Sequence, residues 1–271
     1  MNPAHDILYI SHGGGPLPLL GDPGHQALVE CLQHLSTTLR KPSAILLISA
    51  HWEAEVPTVT AAAHPELIYD YYGFPPESYE IRYPCAGDPT LARRIQQALA
   101  RAGQPAELDP QRGLDHGVFV PLKLMYPLAD VPCVELSLIA GLDATQHLAL
   151  GKALRDLDYE DLLVIGSGFS FHNMRAFFGP ATPDIAAKNQ AFEDWLTDTC
   201  TNRGLTEAQR WQRLADWQDA PHARFCHPRE EHLLPLHVCY GLAGKAADTH
   251  LAATILNRKA GMFHWAGNSQ G

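Results

Sequence analysis

The chain has 271 residues, 46% apolar and 18% charged, with a formal net charge of −10. That length and balance suit one large α/β domain with a well-buried core, and the acidic excess argues against a protein that grips nucleic acid through clustered Lys and Arg. No basic run offers itself to an anionic membrane, and no apolar stretch approaches the roughly 20 residues of a membrane helix.

The N-terminal segment MNPAHDILYISHGGGP lacks the basic region of a signal peptide, so a cytoplasmic protein is expected. Six scattered cysteines, none in a CxxC pair, read as free thiols packed as small hydrophobes. In chain order, ILYI at 7–10 reads as a buried strand ending in the tight turn Ser11-His12-Gly13-Gly14-Gly15-Pro16. Helical spacing follows over 24–40, closed by Lys41-Pro42. AILLISA at 44–50 is fully apolar, as in a parallel strand buried on both faces.

Residues 64–88, rich in Pro, Gly and Tyr, read as a long loop of the kind that forms a lid or binding wall. Asp88 and Pro89 open a helix to about residue 101. A strand near 105–108, a short buried helix at VFVPLKLMYP, a strand at 131–138, a helix at 143–157 opened by Asp143 and a strand at 162–168 follow. Helices are expected over 183–203 and 206–217, and another from Pro228 to Gly241 or Gly244. Strand-like stretches lie near 249–256 and 261–265. With no repeat or linker, the reading is a single domain over 1–266 with a disordered tail at 267–271. The fold class is α/β: a central, largely parallel or mixed sheet flanked by helices, with its site beyond the C-terminal strand ends.

Five histidines sit at the ends of apolar runs: His12, His51, His116, His172 and His232. Any one of them is more readily a satisfied core or loop residue, but several strands delivering histidine to one crevice suggest a metal centre. GGGP matches neither GxGxxG nor the P-loop, HPREEH is not HExxH, and GxSxG is absent, so nucleotide, zincin and nucleophile-elbow readings fail. His232 can complete a three-histidine set, or Glu231 or Glu230 can give two histidines and a carboxylate. His172 fits a general acid/base or a further ligand. Asp115 offers His116 an acidic neighbour.

Together SHGGGP, SAHW, YYGFP…YEIRYPCAGDP, GLDHGVFVPL, GSGFSFHNMRAF and HPREEHLLPL resemble, in matching order over nearly the whole chain, the class III extradiol ring-cleavage dioxygenases. The nearest group is the DOPA 4,5-dioxygenase-like enzymes, related to the protocatechuate 4,5-dioxygenase catalytic subunit. The resemblance implies a mononuclear non-haem metal held by His12, His51 and His232. It makes His172 the acid/base, sometimes a fourth ligand, and His116 a contact to substrate or dioxygen. It also implies Fe(II) for activity, with Zn(II) able to occupy an isolated all-histidine site, and a catechol-type substrate cleaved with O2 to a ring-opened semialdehyde. Tyr71, Tyr72, Phe74 and Tyr79 are candidates to wall the ring, Tyr72 and Phe74 foremost. The family often carries HGSP where this chain has HGGGP. Rival readings are a zinc hydrolase on the same site and a non-enzymatic Memo-like interaction protein. A monomer or homodimer is expected.

Overall fold

An uninterrupted apolar run such as Ile45–Ile48 can be buried on both faces only inside a sheet covered by helices, and all four residues are fully buried. Each such side chain contributes roughly 1.5–3 kcal/mol when removed from water. The computed structural model describes residues 5–267.

Among the described residues, eight strands form one sheet: β1 (Asp6–Ser11), β2 (Ala44–Ala54), β3 (Thr58–Thr60), β4 (Glu107–Asp109), β5 (Cys133–Ile139), β6 (Leu162–Gly168), β7 (Thr249–Ile255) and β8 (Arg258–Trp265). Their order is β4-β3-β5-β2-β6-β1-β8-β7. The central strands β5, β2, β6 and β1 run parallel, whereas β8 joins β1, and β7 joins β8, antiparallel. The helices are α1 (Gln26–Thr38), α2 (Pro89–Arg101), α3 (His116–Met125), α4 (Ala144–Ala153), α5 (Met174–Phe178), α6 (Pro183–Thr201), α7 (Glu207–Ala215), α8 (Ala223–Cys226) and α9 (Leu234–Ala243).

The two faces can be read from neighbours on β6. Gly166 abuts Cys239 and Pro235 of α9, while Ser167 Oγ donates to the Gly117 carbonyl of α3 at 2.5 Å. Successive strand residues point to opposite faces, so α9 and α3 cover opposite sides of the sheet. Local signals set several helix starts as expected. Asp88 accepts from the N–H groups of Thr90 and Leu91, both at 2.9 Å, and Asp143 accepts from Gln146 N–H at 2.8 Å.

The structure adds one strand and corrects two local readings. Residues 58–60 form β3, too short to show a period. The second strand does not stop at Ala50 but runs to Ala54, with its register against β5 shifted between Ile48 and Glu53. The last helix begins at Leu234 rather than near Pro228, because the His232 carbonyl is drawn sideways by Phe169 N–H (3.0 Å) and Tyr9 Oη (2.9 Å). From residue 268 on, the expected tail lies outside the described residues; Gly267 N–H donates to Asp6 Oδ1 at 3.1 Å. Among the described residues no helix is long and apolar enough to cross a membrane.

Candidate active site

The parallel strands β1 and β6 end beside the irregular part of β2, and each of the three segments brings one histidine to this end of the sheet. His12 follows the last residue of β1, and its N–H donates to the Gly168 carbonyl at 3.2 Å, extending the ladder with β6 by one step. The turn after it needs glycine. Gly13 has φ +82°, and a Cβ there would lie 2.6 Å from Pro18 Cγ. The turn is also held from outside: Gly14 N–H donates to His25 Nε2 at 2.9 Å, and His25 Nδ1 donates to Asp22 Oδ1 at 2.7 Å. His25 is therefore a scaffold residue.

His51 lies in the irregular part of β2. Its N–H donates to Ser49 Oγ at 3.1 Å, and that hydroxyl donates to Asp115 Oδ1 at 2.7 Å. His116 is the first residue of α3, and His172 follows β6, its N–H donating to the Cys226 carbonyl at 2.9 Å. His232 sits in the irregular turn before α9, against Gly168.

All five rings meet. His12 lies 4.8, 5.2 and 5.1 Å, centroid to centroid, from His51, His116 and His232. His51 lies 3.9 Å from His116 and 4.9 Å from His232, and His172 stacks on His232 at 3.4 Å. Potential ligand atoms of His12, His51 and His116 fall within 4.8 Å of one another, as do those of His172, Glu231 and His232. The predicted His12–His51–His232 set thus spans two adjoining groups.

Two carboxylates face the ring nitrogens. Asp70 Oδ1 accepts from the N–H and from Nδ1 of His116, at 2.9 and 2.8 Å, and Asp70 Oδ2 is 3.6 Å from His51 Nδ1. Glu231 Oε1 is 3.0 Å from His232 Nδ1 and 3.4 Å from His172 Nδ1. Asp115, the neighbour expected to serve His116, instead binds Ser49 and Arg112 Nη2, the latter at 3.1 Å. Asp70 was not singled out from sequence; its one signal is a lone acid among the tyrosines of LIYDYYGF.

Burial sets the charge state of the site. It holds His12 and His232 well below the usual imidazole value and His51 down to about 4, in each case helped by repulsion from neighbouring histidines. Burial acts to raise Asp70, but hydrogen bonds and charge from His116 and His51 outweigh it, leaving the carboxyl at about 2. Glu231 is lowered too, as the His172 interaction outweighs its burial. Neutral imidazoles beside ionised carboxylates are a donor set for a divalent metal. Two further observations fit an ion: His12 Nε2 faces His51 Nε2 at 3.3 Å, and the buried Nε2 of His232 has no hydrogen-bond partner among the described residues.

Aromatic side chains border one side. Tyr71 lies 5.7 Å from the His116 ring and 5.4 Å from Phe74, and Phe74 covers Gly15. Tyr79 stands 5.4 Å from Tyr71. Tyr72 is 92% exposed. Several remaining histidines are bound by the scaffold: His5, His227 and His237 each place Nε2 on a backbone carbonyl, at 2.9, 2.8 and 2.9 Å.

A parallel-stranded α/β sheet carrying a cluster of imidazoles at one end, with aromatic rings alongside, is the architecture of a metal-dependent enzyme that acts on a small molecule. Residues 7–266 match the family described as the catalytic LigB subunit of aromatic ring-opening dioxygenase. The chain belongs to this family; it is an extradiol aromatic ring-opening dioxygenase, metal-dependent, acting on a small aromatic molecule and O2. It is 41% identical to "Dioxygenase tasH" of Hapsidospora irregularis over 97% of this chain and 86% of that protein. It is 39% identical to the 4,5-DOPA dioxygenase extradiol of Beta vulgaris (91% and 90% covered) and 34% to that of Escherichia coli (84% and 82%). The crystal structure of an uncharacterized Escherichia coli K12 protein superposes with a TM-score of 0.76 at 28% identity, covering 97% of this chain and all of that one. The hydrolase and Memo-like readings gain nothing from these matches.

Proposed function

We propose that this enzyme opens the ring of a DOPA-like catechol beside the diol, with Fe(II) held by Nε2 of His12, His51 and His232. The observation that carries the reading is the meeting of five histidines from five separate segments within 3.4–5.2 Å of a neighbour, three of them held neutral by burial. The chemistry a bound divalent iron supplies is charge: it favours loss of the diol protons and electron transfer from the ring to O2.

The protein's own residues do the rest. His172, stacked on His232 and steadied at Nδ1 by Glu231, takes a proton from one diol hydroxyl at Nε2. It returns a proton to oxygen as the O–O bond breaks, a contribution on the order of 10²–10⁴-fold. His116, its Nδ1 donated to Asp70, turns Nε2 to the substrate or dioxygen. Phe74 and Tyr71 wall the ring and keep water off it; Tyr72, at the solvent edge, is a contact made when substrate is bound. The C–C bond next to the diol breaks, both atoms of O2 enter the product, and a ring-opened semialdehyde leaves.

The test is anaerobic loading of metal-free protein with Fe(II) or Zn(II), then a panel of catechols and air. Fe(II)-dependent appearance of a yellow ring-opened product, fastest with an alanyl-type side chain on the catechol, is expected. Equal turnover with Zn(II), or no preference for DOPA-like catechols, refutes the corresponding part.

A further inference from the structure

The two carboxylates are placed alike. Asp70 faces Nδ1 of His51 at 3.6 Å and Nδ1 of His116 at 2.8 Å; Glu231 faces Nδ1 of His232 at 3.0 Å and Nδ1 of His172 at 3.4 Å. Each therefore serves one histidine proposed to hold metal and one proposed to work on substrate. Asp70 comes from the aromatic loop and Glu231 from the turn before α9, so the likeness is not a local sequence effect.

We infer that Asp70 and Glu231 are paired positioning residues, each holding one imidazole in the Nδ1–H form by a hydrogen bond (His116 and His232) and drawing the Nδ1–H of a second by its charge (His51 and His172), so that all four Nε2 atoms face the reaction space. The inference rests on the ligand assignment of the preceding section and deepens it. A carboxylate only accepts hydrogen bonds, so a neutral imidazole facing it at Nδ1 keeps its proton there and its lone pair on Nε2. Carboxylates behind metal-binding imidazoles orient the rings and raise their basicity. Glu231 Oε1 lies at Nδ1 of both the His232 and His172 rings, a place from which it acts on them rather than replacing them. Two negative charges behind the rings balance a divalent ion that an all-imidazole shell leaves uncompensated.

Asp70 is fixed from two directions, because its Oδ1 also accepts the N–H of His116 at the start of α3. Asp70→Asn can keep that oxygen toward His116 only by turning its NH2 toward His51 Nδ1, donor against donor. Glu231 is backed by Arg229 Nη1, 3.5 Å from Oε2. In Glu231→Gln the guanidinium favours the amide oxygen on its own side, which turns the NH2 toward His232 and His172. Asp70→Asn thus drives the proton of His51 from Nδ1 toward Nε2 while changing the acceptor of His116 from a carboxylate to an amide, and Glu231→Gln drives the protons of both His232 and His172, neither variant acting on the other pair.

The experiment uses full-length protein loaded with Zn(II), with ¹⁵N-labelled histidine and long-range ¹H–¹⁵N NMR to read which ring nitrogen bears the proton. In the parent, His51, His116, His172 and His232 should all be Nδ1–H; any of the four found as Nε2–H overturns the inference without a variant being made. Asp70→Asn should move only the His51 and His116 signals, and Glu231→Gln only those of His232 and His172, each with Zn(II) affinity reduced about 10–100-fold. Unchanged protonation patterns with parent affinity, or equal disturbance of all five rings together with a loss of thermal stability, overturns it. His12→Ala and His51→Ala serve as controls for the ligand assignment. If they bind Zn(II) as the parent does, that assignment fails; if they lose it while the carboxamide variants do not, only the pairing fails.

Discussion

Gly168→Ala gives the sharpest test of how the sheet places His232. A Cβ at residue 168 would lie 2.1 Å from the His232 carbonyl oxygen and 3.0 Å from its carbon. Contacts under 3.0 Å are essentially never seen, so the backbone at His232 must retreat by some 0.9 Å. It cannot do so freely, because that oxygen accepts from both Phe169 N–H and Tyr9 Oη. Losing two such bonds costs about 1 kcal/mol each, and overpacking adds about 1–3 kcal/mol. The total, about 3–5 kcal/mol, corresponds to a fall in Tm of roughly 5–9 °C for a chain of this size. A reacting centre displaced by about 1 Å loses on the order of 100-fold in rate. Calorimetry of the metal-free protein and kcat/KM of the Fe(II)-loaded enzyme measure the two effects separately. A Gly168→Ala enzyme with parental Tm and parental kcat/KM would refute the claim that close approach of β6 fixes His232.

Other outcomes follow from the same geometry. His12→Ala and His51→Ala should each lose stoichiometric metal, read by elemental analysis, whereas His172→Ala should keep its metal and lose about 10²–10⁴-fold in kcat; full ring-cleavage activity in His172→Ala rules out its role. Tyr72→Ala, at an exposed edge, should raise KM with kcat unchanged, as for a contact made equally in ground and transition states; a fall in kcat instead would place Tyr72 in the chemical step. Acid should weaken the fold through scaffold histidines. Burial chiefly holds His227 at about 3 and His237 at about 4, below the 6.5 of the unfolded chain. Both groups are neutral in both states above pH 6.5, so stability is full there. As pH falls below 6.5 the unfolded chain takes up protons that the native state refuses, and at pH 5 each histidine costs about 2 kcal/mol. Denaturant titration of metal-free protein at pH 7.5 and pH 5 measures this; equal stability at the two pH values would contradict it.

Much of the scaffold was legible because its signals are local. The apolar runs within 44–50 and 162–168 announced two central strands, the first of them read as parallel, and Asp88-Pro89 and Asp143 announced two helix starts. The five site histidines were legible as well, each lying at the end of an apolar run with Gly, Pro or acidic neighbours. What sequence by itself determined was therefore the fold class, the end of the sheet that carries the site, and the residues that compete for roles there. Tertiary structure alone decided how those residues are partnered. Asp70 serves His116 from 46 positions away, while the adjacent Asp115 turns to Ser49 and Arg112. The segment 228–233 stays out of helix because its His232 carbonyl is bound by residues of β1 and of the chain just past β6. Helical propensity and hydrophobic period report only neighbours along the chain, whereas these hydrogen bonds join segments that meet only once the sheet has formed.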